Sequence, residues 1–133
     1  MGVGISLSGL ASAVANEGGI GVIAAAGIGM NEPDFYSDYL EANLRALRSE
    51  IRKAKELTKG VVGLNVMVAL AYFEHVVRVA VEEEVDIVFS GAGLPLNLPE
   101  FLPRGGRTAA VPIVSSGRAA ALICKRWLHK YDR

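Results

Sequence analysis

The residues whose types could support chemistry lie where the apolar segments of the chain end. Four such segments run into the sequences AAGIG, NVM, SGAG and SSG, which are small or polar throughout. Ligands of parallel α/β folds bind beyond the carboxyl ends of the strands. Small residues there allow a flat or phosphorylated ligand to approach the backbone. The pattern indicates either a ligand-binding rim or ordinary turn chemistry, and alone it does not separate the two.

Acid–base and metal-binding groups are scarce along the chain. His75 falls in the middle of a predicted helix and His129 close to residue 133, so neither is expected on the rim. No serine–histidine–acid set can be assembled, and two histidines are too few for a metal site. Cys124 is the only cysteine, which excludes an internal disulfide and a cysteine zinc cluster. We expect Cys124 to be a buried structural thiol, and we assign no catalytic residue and no metal ligand.

One glycine motif matches a nucleotide-binding fingerprint only in its letters. Residues 19–24 read GIGVIA, but this stretch leads into a predicted strand. The dinucleotide fingerprint must leave a strand and open a helix. The phosphate-loop pattern is absent from the sequence. These motifs therefore give no reason to predict a dinucleotide or a nucleoside triphosphate.

Composition indicates a single globular domain over residues 1–133. Hydrophobic residues make up 51% of the chain, and 14 basic residues balance 14 acidic ones. Zero net charge offers no electrostatic basis for binding nucleic acid or a membrane surface. No apolar run reaches the length of a membrane span, and no charged n-region of a signal peptide is present. We expect a cytoplasmic protein with a small-molecule substrate.

Hydrophobic periodicity predicts strands that alternate with helices. A first helix, capped by Ser6 or Ser8, ends at Gly18, and the strand after it is apolar enough to be covered on both faces. The alternation predicts parallel β-α units of TIM-barrel type, with a doubly wound sheet as the alternative. We predict strands at 20–25, 61–67, 85–90 and 110–115, and further helices at 34–58, 71–84 and 118–131.

Four stretches of the sequence resemble a known enzyme family. They are MGVGIS with LASAVANEGGIGVIAA, GLNVM at 63–67, DIVFSGAGLP at 86–95 and VPIVSSGRAA at 111–120. Together, and in this order, they resemble the nitronate monooxygenases, a family that includes flavin-dependent enoyl-acyl-carrier-protein reductases. The resemblance implies a TIM barrel that holds FMN at its C-terminal face. It also implies oxidation of nitronates through the flavin, with O2 as the oxidant.

The resemblance assigns cofactor-binding roles to individual positions. It places Asn65 against the isoalloxazine edge or the ribityl chain of the flavin. The alternative for Asn65 is a strand-end asparagine that bonds its own turn. The positions that the resemblance assigns to the cofactor are Met1, Gly2, Val3, Asn65, Gly91, Ala92 and Ser115.

Several segments of the family pattern have no counterpart in the 133 residues. They are a strand before the glycine turn, a histidine-bearing segment and the late glycine-rich loops that hold the FMN phosphate. A full barrel needs eight strands and about 250 residues, so we expect about half a barrel in which FMN binds weakly or not at all. We also expect a homo-oligomer that covers the inner face. The alternatives are a non-catalytic α/β half-barrel that oligomerises or takes its missing strands from a partner, and a phosphate-binding barrel enzyme of another chemistry.

Overall fold

Four parallel strands form a single sheet in a computed structural model that describes residues 2–133. The strands lie in chain order, as in a barrel wall of parallel β-α units, which is the predicted fold type. Met1 lies outside the described residues. The strands are β1 (Ile20–Ala24), β2 (Val61–Met67), β3 (Ile87–Gly91) and β4 (Ala109–Pro112). The helices are α1 (Ser8–Asn16), α2 (Tyr39–Leu57), α3 (Phe73–Glu82) and α4 (Gly117–Tyr131), with a short 3₁₀ helix at Leu98–Phe101.

The sheet buries one face under the helices and leaves the other open. Side chains alternate across a strand, so aligned residues of neighbouring strands share a face. Ile23, Leu64 and Val88 are aligned across β1, β2 and β3 and have no exposed surface. We call their side the closed face and the opposite side the open face. Burial on a single face excludes the doubly wound alternative, in which helices cover both faces.

The open face is also apolar. Ile20, Val61 and Val111 lie on it with 46%, 41% and 37% of their surface exposed. The prediction that the first strand is covered on both faces is therefore wrong. Its physical reason is that this chain supplies a helix layer on one side of the sheet only.

The outer helices are tied to one another by charged side chains. Arg48 and Arg52 of α2 both bond the Glu83 carboxylate at the end of α3, at 3.2 and 2.6 Å. Lys55 donates to the backbone oxygens of Glu83 and Glu84, at 2.8 and 3.2 Å. The acidic run that closes α3 therefore binds α3 to the basic outer face of α2.

Helix α4 packs on the core through a narrow strip. Ile123 is its one fully buried residue, and the Trp127 indole donates to the Pro95 oxygen at 3.1 Å. Cys124 is exposed, so the prediction of a buried thiol is wrong. The reason is that Cys124 points about 100° around the helix from Ile123, where no other helix covers it.

The first two helices begin differently from the prediction. Neither Ser6 nor Ser8 caps α1, since the residue before the helix is Leu7 and no side chain bonds there; instead Glu50 of α2 accepts from the Ser8 N–H at 2.9 Å. Helix α2 begins at Tyr39 after a loop over residues 25–38, and Asp38 caps it.

Within the described residues, no helix combines the length and apolarity that crossing a membrane requires.

Candidate functional site

The N-terminal turn is fixed against the carboxyl end of β1. The Gly2 oxygen accepts from the backbone N–H groups of Ile5 and Ser6, at 3.1 and 2.9 Å. The Ser6 oxygen then accepts from the Ala24 N–H at 2.8 Å. Gly27 has φ +61°, and a Cβ there would lie 3.3 Å from Val3 Cγ1. These contacts bring Val3 from the start of the chain to the end of β1.

A cavity of about 270 Å³ opens at this edge of the sheet. It collects residues that follow or end β1, β2 and β3, together with Val3 and Ile113, as an edge where parallel strands end should. We call it the rim cavity. Its lining residues are Val3, Ala24, Ala26, Asn65, Val66, Met67, Gly91, Ala92 and Ile113. Four of the predicted positions, Val3, Asn65, Gly91 and Ala92, are therefore brought together.

Asn65 supplies the polar side chain of the rim cavity. Its backbone oxygen accepts from the Ala25 N–H at 3.0 Å, but its side-chain amide makes no hydrogen bond within residues 2–133. A strand-end asparagine that bonded its own turn would show such a contact, so the described residues do not support that alternative. The amide is left with two donors and an acceptor facing the cavity.

Gly91 and Ala92 shape the wall of the cavity. A Cβ at Gly91 would lie 3.3 Å from the Ile113 Cβ, so glycine at this position leaves space in the cavity beside Ile113. Ala92 adopts φ +53°, a left-handed conformation that costs a non-glycine residue about 1 kcal/mol or more. The chain therefore holds a strained turn where β3 meets the rim.

The remaining predicted positions lie beside the rim cavity. Ser115 lines an adjoining cleft of about 410 Å³ that shares Ala92 and Ile113 with it. The Ser115 side chain is exposed, ahead of the Ser116 that caps α4 through the Ala119 N–H. Gly2 lines neither space, and its described role is the tight turn that presents Val3.

Other residues of the site were not assigned from the sequence. Ala26 and Met67 line the rim cavity and belong to the strand-end sequences AAGIG and NVM, so the small-residue pattern contained them. No sequence pattern pointed to Tyr39 and Tyr72 as neighbours. Their hydroxyls lie 3.1 Å apart beside the loop after β1. Burial, with the Tyr39 hydroxyl as the next cause, raises the pKa of Tyr72 to about 12, so its hydroxyl stays protonated at neutral pH.

The electrostatics of the site favour binding over proton transfer. Among the described residues, no ionisable side chain lines the rim cavity or its adjoining cleft. His75 and His129 are exposed on α3 and α4, and neither lines the rim cavity or its adjoining cleft, as predicted. The described residues hold no cluster of three or more side chains suited to a metal ion. The arrangement can hold a largely apolar ligand by one amide and several backbone groups.

Comparison with protein families identifies the sequence. The nitronate monooxygenase family model matches residues 1–132. The chain belongs to the nitronate monooxygenase family. A search of curated proteins gave no significant match.

Solved structures agree with the family assignment. FabK from Thermotoga maritima is 28% identical, with a TM-score of 0.71 over 91% of this chain. A methionine-to-alanine variant of that FabK is 26% identical, with a TM-score of 0.72 over the same 91%. The chain spans only 34% and 36% of the length of those two structures. Its four parallel strands correspond to half of the eight strands of a TIM barrel, as predicted.

Proposed function

We propose that this chain forms the flavin-facing half of an FMN-dependent oxidoreductase of the nitronate monooxygenase type. The observation that carries the proposal is the Asn65 amide, which lacks a partner within the described residues and lies in an otherwise apolar cavity at the strand ends. A heteroaromatic ring with a polar edge and apolar faces suits this combination. Membership of a family with FabK-like structures supports the choice of flavin.

Each part of the rim cavity has a separate role in this proposal. Asn65 would hold the polar edge of the ring or the ribityl chain, and Val3 and Met67 would supply apolar contacts. The backbone of Gly91 and Ala92 would allow close approach, and Ser115 would contact the ligand from the adjoining cleft. The bound flavin supplies the electron acceptor for oxidation of a nitronate, with O2 as the final oxidant. We assign no catalytic residue, since no ionisable group among the described residues lines the cavity.

Affinity for FMN is expected to be weak in this chain. Among the described residues, no lysine or arginine lines the rim cavity or its adjoining cleft, so the phosphate has no charged partner there. A charge-assisted hydrogen bond contributes about 1.5–3 kcal/mol. FMN and riboflavin, which differ by that phosphate, should therefore bind this chain with similar affinity.

A fluorescence titration with both flavins tests the proposal. We expect weak binding of both, and a loss of about tenfold in affinity for Asn65→Ala, which is the value of one hydrogen bond. Asn31→Ala is the matched control, because Asn31 is exposed and lies outside the cavity. If neither FMN nor riboflavin binds, the cavity is not a flavin site. Tight binding of FMN but not of riboflavin would show that the chain does bind the phosphate group, against our expectation.

A second candidate is a non-catalytic half-barrel that associates through its uncovered surfaces. The exposed apolar residues of the open face favour it. The flavin titration separates the two, because this candidate binds neither flavin. The small-molecule substrate, the cytoplasmic location and the lack of a nucleic-acid or membrane partner stay predictions from the sequence.

A further inference from the structure

The sheet has two unpaired edge strands, β1 and β4, which run in the same direction. Strand β1 pairs only with β2 and β4 only with β3, so each leaves one row of backbone groups without a strand partner among the described residues. Such rows are templates for pairing with another strand. Because all four strands are parallel, an edge strand of a second copy in the same orientation can form a parallel pair with either β1 or β4.

Helix α1 presents an apolar and acidic stripe on its free flank. Leu10 and Val14 are 51% and 41% exposed, and Glu17 follows at the next step of the same stripe. The opposite flank faces α2, where Asn16 donates to the Leu57 oxygen at 3.2 Å. The flank beside the β1 edge is therefore uncovered.

Helix α4 presents an apolar and basic stripe on its own free flank. Leu122 is 49% exposed, and Arg126 and His129 repeat its position at i+4 and i+7. They line a shallow groove of about 280 Å³ with Lys125. The neighbouring flank faces the 3₁₀ helix, where Lys130 and the Tyr131 hydroxyl both donate to Glu100 at 2.6 Å.

The two stripes are complementary in composition and charge. Each begins with an exposed leucine and ends in charged or titratable groups, which are acidic on α1 and basic on α4. Within residues 2–133, neither Glu17 nor Arg126 forms an ion pair. Both helices run opposite to the strands they flank, so they are parallel to each other when the two edges meet.

We propose that the 133-residue chain self-associates into a two-copy, eight-stranded barrel. The β4 edge of each copy pairs with the β1 edge of the other, and α4 of each packs on α1 of the other. The two β4–β1 contacts are related by a twofold axis and together form one isologous interface, which leaves no strand edge free. Closure also covers Ile20, Val61 and Val111 of the open face inside the barrel, and leaves two equivalent rim cavities at one end.

Mass measurement of the purified chain is the first test. Light scattering after size exclusion should give a species of twice the 14.1 kDa of one chain, over micromolar to submillimolar concentrations. A stable monomer over this range would overturn the proposal and would mean that another segment or partner covers the edges. A distribution of larger species would also overturn it, because it would show that the edges pair without closing.

Charge exchange across the proposed contact is the second test. Glu17→Arg should weaken the dimer at least about tenfold, because repulsion replaces attraction in both contacts of the dimer. Arg126→Glu should do the same, and the double variant should recover most of the affinity. Glu74→Arg is the matched control, because Glu74 is an exposed acid on α3, away from both flanks. Failure of the double variant to recover would overturn the pairing of α1 with α4.

Apolar contact is tested by an added charge. Leu10→Asp should weaken the dimer about a hundredfold, since it places a charge where two leucines meet. Leu57→Asp is the control, because Leu57 is 57% exposed at the end of α2. Both sites are exposed, and circular dichroism should report folded chains in each case. Equal dimer affinity for the two variants would overturn the proposed contact.

Discussion

The two faces of the sheet differ in burial although both are apolar. Leu64 and Val88 on the closed face have no exposed surface. Val61, Val111 and Ile113 on the open face are 41%, 37% and 51% exposed. In a TIM barrel the interior of the strands is a second core, filled by side chains from all eight strands. Apolar strand residues therefore mark two cores, and this chain covers one of them.

The largest contrast between the faces is expected at two strand glycines. A Cβ at Gly21 would lie 1.9 Å from the Ala11 backbone oxygen of α1, so Gly21→Ala must push the helix off the sheet. We expect a loss of about 3 kcal/mol or more in the free energy of unfolding. A Cβ at Gly63 would instead meet the ring of Phe89 at 2.7 Å, on the open face where the ring has room to move.

Urea denaturation of both glycine variants checks this contrast. Gly63→Ala should change the free energy of unfolding by less than about 1 kcal/mol, because alanine also lowers the entropy of the unfolded chain. Equal losses for the two variants would show that the open face is as tightly packed as the closed one.

A smaller contrast is expected between matched valines. Val88→Ala removes fully buried methyl groups and should cost about 2 kcal/mol in the free energy of unfolding. Val111→Ala removes methyl groups that are already partly in water, and should cost less than about 1 kcal/mol. Denaturation at low protein concentration keeps the chain monomeric for this comparison. If Val111→Ala then costs as much as Val88→Ala, another part of the chain covers the open face.

A buried hydroxyl offers a third comparison within the closed face. Ser90 has no exposed surface, and its Oγ has no hydrogen-bond partner in the described chain. Ser90→Ala should therefore leave the free energy of unfolding unchanged or raise it by about 1–3 kcal/mol. Ser12→Ala is the control, because the buried Ser12 Oγ donates to the Gly9 oxygen at 3.1 Å, and its loss should destabilise the chain. Destabilisation by both variants would indicate a bound water on Ser90.

Parallel strands that alternate with helices were predictable from the sequence, while the uncovered face of β1 and side-chain partners distant in sequence were not. Alternation of apolar strands with amphipathic helices fixes parallel units, and the resemblance fixes the barrel type. The Glu50 contact with Ser8 joins residues 42 positions apart, so the sequence offered only a local serine cap in its place. The exposure of Cys124 depends on which helix covers α4, which periodicity does not report.

The meeting of the strand ends in one place was predictable, while their role as a binding site stays a prediction. Val3, Asn65, Gly91 and Ala92 share one cavity because they occupy the same edge of the sheet. The loop after β1 was predicted to end at residue 33 but runs to residue 38. The buried Asn43 shapes it, accepting from the Gly29 N–H at 3.1 Å and donating to the Tyr39 oxygen at 2.6 Å. A polar residue inside an amphipathic helix carries no signal of such a role.

The smallest effect concerns the ion pairs between α2 and α3, on the outer surface of the helix layer that covers the closed face. Arg52, followed by Arg48, holds the pKa of the Glu83 carboxyl below its usual value of 4.5 in the folded chain. A carboxyl with a lowered pKa adds stability above its unfolded pKa and loses it as the pH falls through the folded pKa. Because the arginines are partly exposed, we expect Glu83 to contribute only about 0.5–1 kcal/mol at pH 7.

Urea denaturation of wild type and Glu83→Gln across pH isolates this contribution. The glutamine variant should be less stable than wild type above pH 4.5, and the gap should close as the pH falls below the folded pKa of Glu83. Glu56→Gln is the matched control, because Glu56 is exposed on α2 and forms no ion pair within the described residues. A gap that persists at low pH would mean that Glu83 stabilises the contact between α2 and α3 by packing alone, since a protonated carboxyl and an amide then differ little in charge.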